Sequence, residues 1–210
     1  VSLVMRSMTA AGESVPKLYY IAGGGWGFPG AAIHPCRLHR GPRSATMVFS
    51  FATIHMSRLA TRRSAIHGNG VFATAAIPKG ERLIQYKGKL RSHAEVDEVY
   101  ADEVDTGHTF LFTLNDDYVI DANVGGNNAR WINHSCSPNC EAIFHEHEGD
   151  DRSKDTVWIE SMRAIKPGEE LSYNYGITLG ERHTPRMKQL WACRCGAKKC
   201  TGTMLQKKKR

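Results

Sequence analysis

Apolar residues along this chain come in short bursts rather than long stripes. Val71 to Thr74, Arg82 to Tyr86, Thr109 to Leu114, Tyr118 to Ile120, Glu141 to Phe144 and Thr156 to Ile159 are each rich in β-branched or aromatic side chains and bounded by Gly, Asn, Asp or Pro. Segments of this kind fit a pleated, half-buried ribbon and predict strands. Pro78-Lys79-Gly80 and Pro167-Gly168 are turn signatures, each introducing a strand. The clear helix candidate is Ser92 to Tyr100, where Ser92 caps the first turn and Glu95 stands three residues on, the spacing of a capping box. Ala129 to Asn133 is expected to add a turn of helix. The pattern predicts a mainly β domain of short strands, with no internal repeat.

Upstream the pattern lapses. Gly23-Gly24-Gly25, Gly27, Pro29-Gly30 and Pro35 interrupt a stretch with no sustained period of 2 or 3.6, so little order is expected there. Residues 1–56 therefore read as a flexible N-terminal extension, with Met56 a candidate biological start. Residues 57–178 read as the folded domain and 179–210 as a distinct C-terminal segment.

At 210 residues and 41% hydrophobic composition, the chain holds enough apolar mass for one packed core. Its net charge of +7 is unevenly placed: residues 1–60 carry +5 and residues 182–210 carry +10, leaving 61–181 at −8. An acidic body attracts basic partners such as Lys-rich proteins, and the tail Lys207 to Arg210 is a candidate nucleic-acid contact. No run of roughly 18 apolar residues occurs, which excludes a helical membrane span.

Of the six cysteines, Cys193, Cys195 and Cys200 lie within eight residues, with Gly196 allowing a tight turn between them. Three soft thiolates at that spacing suit tetrahedral zinc in a closed structural site, with Cys136 or Cys140 able to supply the fourth ligand. Clustering of this kind points to a reducing compartment rather than a disulfide framework. His67-Gly68-Asn69-Gly70 offers two glycines where backbone must approach something closely or adopt positive φ. The stretch Asn133 to Cys140 is richer in side-chain donors and acceptors than a connecting loop needs, and Tyr173 and Tyr175 share one face of a predicted strand. No Ser-His-Asp order, HExxH, P-loop or dinucleotide fingerprint is present, so hydrolase, protease and nucleotidase readings lack residues.

Taken in order, Ile66 to Phe72, Tyr86-Lys87-Gly88, Phe110-Leu111-Phe112, Val119 to Ala122, Gly126 to Cys140, Gly168 to Tyr175 and Cys193 to Cys200 resemble the SET domain with its C-terminal post-SET zinc segment. The resemblance covers about residues 60 to 205. It implies small sheets of short strands, a knot-like threading of the C-terminal strand near Asn133, and methyl transfer from S-adenosylmethionine to lysine side chains of a protein. By position, cofactor contacts are expected from His67, Gly68, Asn69, Gly70, Phe110, Arg130, Asn133, His134, Tyr175, Arg194 and Leu205. A lysine channel is expected between Tyr86, Tyr173 and Tyr175, the catalytic set. The resemblance assigns one structural zinc to Cys136, Cys193, Cys195 and Cys200 and leaves Cys140 as a small buried thiol. Phe110 departs from members that carry tyrosine there, losing one hydroxyl contact to the cofactor. The competing reading is a non-catalytic, zinc-containing peptide-binding module with a degenerate SET fold. A monomer is expected, cytoplasmic if the source is bacterial and otherwise nuclear or chromosomal.

Overall fold

The computed structural model describes residues 2–10, 13–21, 58–101, 109–179 and 182–206. Thirteen strands and two helices follow in chain order: β1 (Ser2–Ala10), β2 (Glu13–Ile21), β3 (Leu59–Arg63), β4 (Asn69–Ala73), β5 (Arg82–Gln85), β6 (Lys89–Ser92), α1 (His93–Val99), β7 (Leu111–Thr113), β8 (Tyr118–Asp121), β9 (Asn133–His134), β10 (Cys140–His145), β11 (Thr156–Ser161), β12 (Ser172–Tyr173), β13 (Ile177–Leu179) and α2 (Pro185–Leu190). The expected mainly β architecture of small sheets is present. No helix among the described residues is long and apolar enough to cross a membrane.

The sheets are small because the apolar bursts are short. β3 pairs with β4, β10–β11–β5 and β6–β8–β7 form antiparallel three-stranded sheets, and β12 lies parallel to β9. β11 shows how the sequence sets register: Val157, Ile159 and Ser161 are buried while Thr156, Trp158 and Glu160 are partly exposed, the period-2 alternation of a strand with one face on the core. Ser161 keeps this inward position because its hydroxyl donates to Pro78 O at 2.6 Å and accepts from Glu81 N at 2.9 Å. The buried Val71, Ile77, Ile120, Ile132, Ile159, Ile165, Leu171 and Ile177 come from most of these layers, so one core unites them.

α1 begins as its sequence predicts: Ser92 Oγ accepts from Glu95 N at 3.2 Å, and Glu95 Oε2 accepts from Ser92 N at 2.7 Å. Its far end is fixed by Tyr100, whose hydroxyl donates to Asp121 Oδ2 at 2.9 Å beside the Arg91–Asp121 ion pair. The 3-10 turn Asn128–Trp131 stands where a helical turn is expected. α2 lay unmarked in the sequence reading although Thr184 caps it and Pro185 opens it, both ordinary start signals.

Within residues 1–56 the structure describes two strands. β1 and β2 form an antiparallel hairpin, with β1 also running parallel to β13. Leu3, Val4, Val15, Tyr19, Tyr20 and Ile21 supply strand propensity without strict alternation. Pro16 is tolerated because β2 is an edge strand. The rest of that segment, with Met56, lies outside the described residues.

Ile159 is completely buried in the central strand of its sheet. Ile159→Ala is expected to cost about 2–5 kcal/mol of unfolding free energy, read from urea denaturation curves.

Candidate active site

Three distant stretches meet at the side chain of Asn133. Its Nδ2 lies within hydrogen-bond reach of Asn69 O at 2.9 Å, His67 O at 3.2 Å and Glu170 Oε1 at 2.8 Å. Glu170 in turn accepts from Ser64 Oγ at 2.7 Å, and Ser64 N donates to Gly68 O at 3.0 Å. The turn 64–70 is thus tied to β9 and to the segment before β12. Its two glycines answer different needs. Gly68 has φ +48°, in the left-handed region, whereas a Cβ on Gly70 would fall inside the van der Waals shell of the Glu170 carboxylate.

His134, next on β9, is buried, and that burial pushes its imidazole down to about 4, so it is neutral near pH 7. Nδ1 accepts from Tyr175 N at 3.1 Å, which places the ring proton on Nε2, 3.6 Å from Cys136 Sγ. One side chain therefore joins the strand-end tyrosine to the cysteine cluster.

Around this floor lies a cavity of 240 Å³. His67, Gly68, Asn69, Phe110, Arg130, Asn133, His134, Tyr175 and Arg194 all line it, so the structure brings together nine of the expected cofactor contacts. Gly70 does not line it and packs against Glu170 instead, because its part is to let the loop approach. Leu205 lies on a neighbouring cleft beyond Met204. One wall is aromatic and cationic: Arg130 stacks on Trp131 with 4.7 Å from its guanidinium carbon to the ring centre, Trp131 meets Phe110 edge-on at 5.0 Å, and Arg130 Nη1 donates to Ala122 O at 2.8 Å. Arg130 Nε is buried without a protein partner, a donor left for a ligand.

Tyr175 belongs to this cavity and to a second group of rings. Its centroid lies 4.8 Å from that of Tyr173, Phe112 stands 6.3 Å from Tyr173 and 4.9 Å from Tyr86, and Phe144 is 5.7 Å from Phe112. The Tyr175 hydroxyl donates to Ile132 O at 2.9 Å and the Tyr86 hydroxyl to Phe110 O at 3.1 Å. Burial raises both phenols above their ordinary range, with negative neighbours adding to it, so both stay protonated at neutral pH. They can orient a neighbour but do not serve as anionic bases.

Residues 68–176 match the SET domain family. The chain belongs to that family. This SET domain is 37% identical over 145 residues to the histone-lysine N-methyltransferase trithorax of Drosophila virilis, 66% of this chain and 3% of the fly protein. It is 36% identical over 151 residues to the histone-lysine N-methyltransferase TRX1 of rice, 70% of this chain and 14% of the rice protein. A third relative, the human histone-lysine N-methyltransferase 2B, is 37% identical over 140 residues, 66% of this chain and 5% of the human protein. The chain therefore spans a small fraction of the length of these relatives.

Within the SET domain match, Cys136 meets three cysteines that lie beyond it. The sulfurs of Cys136, Cys193, Cys195 and Cys200 all lie within 4.8 Å of one another, with Cys136 Sγ at 3.7 Å from Cys193 Sγ and 3.9 Å from Cys200 Sγ. Four sulfurs around zinc at about 2.3 Å stand about 3.8 Å apart in a tetrahedron, so the spacing fits the ion. Backbone N–H groups of Cys136 and Gly202 point at the sulfurs of Cys195 and Cys200, at 3.5 and 3.4 Å. Burial opposes ionisation of Cys195, yet hydrogen bonds from Cys136 N, Ala197 N and neighbouring thiols bring it below the usual thiol range. Cys140 stays apart: it opens β10 opposite Ser161, is fully buried, and burial pushes its thiol up to about 12.

Glu170 and Trp131 stand within the sequence motifs without a role that the motifs assign, and Trp191 and Met204 stand outside them. Glu170 was hidden because its role is to hold Asn133, which only the fold brings near. Trp191 and Met204 line the cavity from opposite ends of the cysteine segment and are joined by Met204 N donating to Trp191 O at 2.8 Å. Asn139, in the same polar loop, is structural: its Oδ1 accepts from Ser172 N at 2.8 Å and its Nδ2 donates to Glu170 O at 2.8 Å.

Close approach of Gly70 to Glu170 predicts a coupled pair. Gly70→Ala should destabilise the domain, and in a Glu170→Ala background the same change should cost less. A double-mutant cycle by chemical denaturation should read a coupling of about 0.5–3 kcal/mol.

Proposed function

We propose that this domain transfers a methyl group from S-adenosylmethionine to the side-chain amine of lysine in a basic, histone-like protein. The observation that carries the reading is that Tyr175 lines the polar cavity and also packs on Tyr173 in the ring cluster, so one residue joins the cavity to an aromatic wall.

The residues fit the donor. Arg130 Nε supplies an unused buried donor, Gly68 to Asn69 present a close backbone edge, and Trp131, Phe110 and Trp191 give apolar faces on the same cavity. Bound there, S-adenosylmethionine supplies an activated methyl group on a positively charged sulfur. Asn133, His134 and Arg130 hold the donor's place. Tyr86, Tyr173 and Phe112 strip water from an incoming lysine, whose pKa of about 10.4 in water must fall before its nitrogen is a nucleophile. The proton leaves to solvent, since the buried phenols are themselves protonated. Tyr175, fixed through its hydroxyl to Ile132 and through its amide to His134, aligns the amine with the methyl group. A non-catalytic peptide-binding module has no need of a polar cavity joined in this way to a tyrosine fixed at two points.

Cys136, Cys193, Cys195 and Cys200 would hold one zinc in a closed four-thiolate site, which folds the C-terminal segment against the cavity and takes no part in the reaction. The acidic charge of residues 61–181 favours a basic substrate, and relatives named for histone methylation favour a nuclear or chromosomal setting. We assign residues 57–178 to the SET domain proper and 179–210 to the post-SET segment and basic tail.

Incubation with labelled methyl donor and a panel of histones should give methyl-lysine by mass spectrometry; absence of transfer to any protein by zinc-replete enzyme would refute the reading. Tyr175→Phe should lower the rate about 100-fold through lost alignment. Tyr173→Phe should keep turnover and shift a predominantly mono- or dimethylated product towards trimethyl-lysine, because removing that hydroxyl leaves room for a methylated nitrogen to turn into line.

Metal analysis should find one zinc per chain, lost on Cys136→Ser and retained on Cys140→Ser. Chelation should raise amide hydrogen exchange across the C-terminal segment.

A further inference from the structure

A second cleft, of 1010 Å³, shares His134 and Met204 with the cofactor cavity. Arg182 comes from the approach to α2, Lys188 from α2 itself, and Lys199 from the cysteine segment. All three are exposed, and no carboxylate among the described residues lines the cleft. Asn174, also exposed, adds its amide at the rim. Gln206 lines the cleft as well, and the sequence continues from it as Lys207-Lys208-Lys209-Arg210. The cations thus come from three separated stretches, in the part of the chain that has ten Lys/Arg and no acid between 182 and 210.

We infer that this cleft is a docking surface for the phosphate backbone of duplex DNA. Lys and Arg ammonium and guanidinium groups gathered without carboxylates recognise a line of phosphates. Among the described residues no Phe, Tyr or Trp lines the cleft, so these supply none of the stacking platforms that single strands need. Binding is therefore to the backbone and independent of base sequence. An anionic membrane surface fits less well, because the cations sit in a concave cleft and its apolar residues Met204 and Leu205 are not exposed. The inference stands on charge and shape and does not require the methyl-transfer reading to be correct.

Fluorescence anisotropy of zinc-replete full chain with a labelled duplex of about 20 base pairs, between about 50 and 200 mM salt, tests it. Three cleft cations and four tail cations predict log K falling against log salt with a slope of about −6. Replacing Arg182, Lys188 and Lys199 together by Gln should reduce that slope by about 3 and weaken binding at least about 10-fold, with zinc content and circular dichroism unchanged. Ending the chain at Gln206 should leave a weaker binding that still depends on the cleft cations. The single exchange Lys188→Glu, at an exposed helix position, gives the same direction should the triple variant not fold. Four results would overturn the inference: no binding at the lowest salt, an unchanged slope in the cleft variants, displacement of the duplex by S-adenosylhomocysteine, or tighter binding to anionic phosphatidylserine vesicles than to duplex.

Discussion

The carboxamide of Asn133 is the joint on which the rest of the site depends. Its amide hydrogens face backbone carbonyls of the turn before β4 and the carboxylate of Glu170, so three stretches separated by tens of residues are held at one point. Such a joint is costly to break, because each partner is partly buried and would be left without a replacement. It also explains the small residues around it: Gly70 is needed for the approach of Glu170, and the parallel pairing of β9 with β12 follows from the same convergence. Leu171 N donates to Val71 O on one side while Ser135 N donates to Tyr173 O on the other, so the segment through β12 is held between two older parts of the chain.

From that joint, two kinds of environment diverge. On one side the cavity is polar and mixed, with backbone carbonyls, an arginine stacked on tryptophan, and the neutral ring of His134. On the other the rings of Tyr173, Tyr86, Phe112 and Phe144 exclude water. Tyr175 belongs to both, and its hydroxyl is already engaged with Ile132 O. A phenol that is buried, protonated and fixed at two points acts by geometry: it limits where a neighbouring amine can sit. This is why desolvation and alignment, rather than a charged base, carry the chemistry proposed for the domain.

His134 links this centre to the thiol cluster. Because Nδ1 accepts from Tyr175, the Nε2 proton faces Cys136, so the ring orientation of one site is set by the other. The C-terminal segment completes the cavity wall, since Trp191, Arg194 and Met204 reach the cavity from it. The basic cleft shares His134 and Met204 with the cavity.

The sequence by itself determined what is local. Short β-branched bursts set the strands, Ser92 and Glu95 set the start of α1, and three cysteines within eight residues set the metal-ligating chemistry, because each depends on neighbours a few positions away. The motif resemblance added the family and nine of the cavity residues. The tertiary structure decided what depends on distant pairing. Cys136 and Cys140 are four apart and chemically alike, yet pairing with Ser161 turns Cys140 into the core while Cys136 meets sulfurs some sixty positions on. Glu170 reads as an ordinary surface acid until the fold sets it against Asn133 and Gly70. Arg182, Lys188 and Lys199 read as scattered charges until α2 and the cysteine segment bring them to one cleft. In each case the deciding term is a contact between residues far apart in the chain, and no local propensity encodes it.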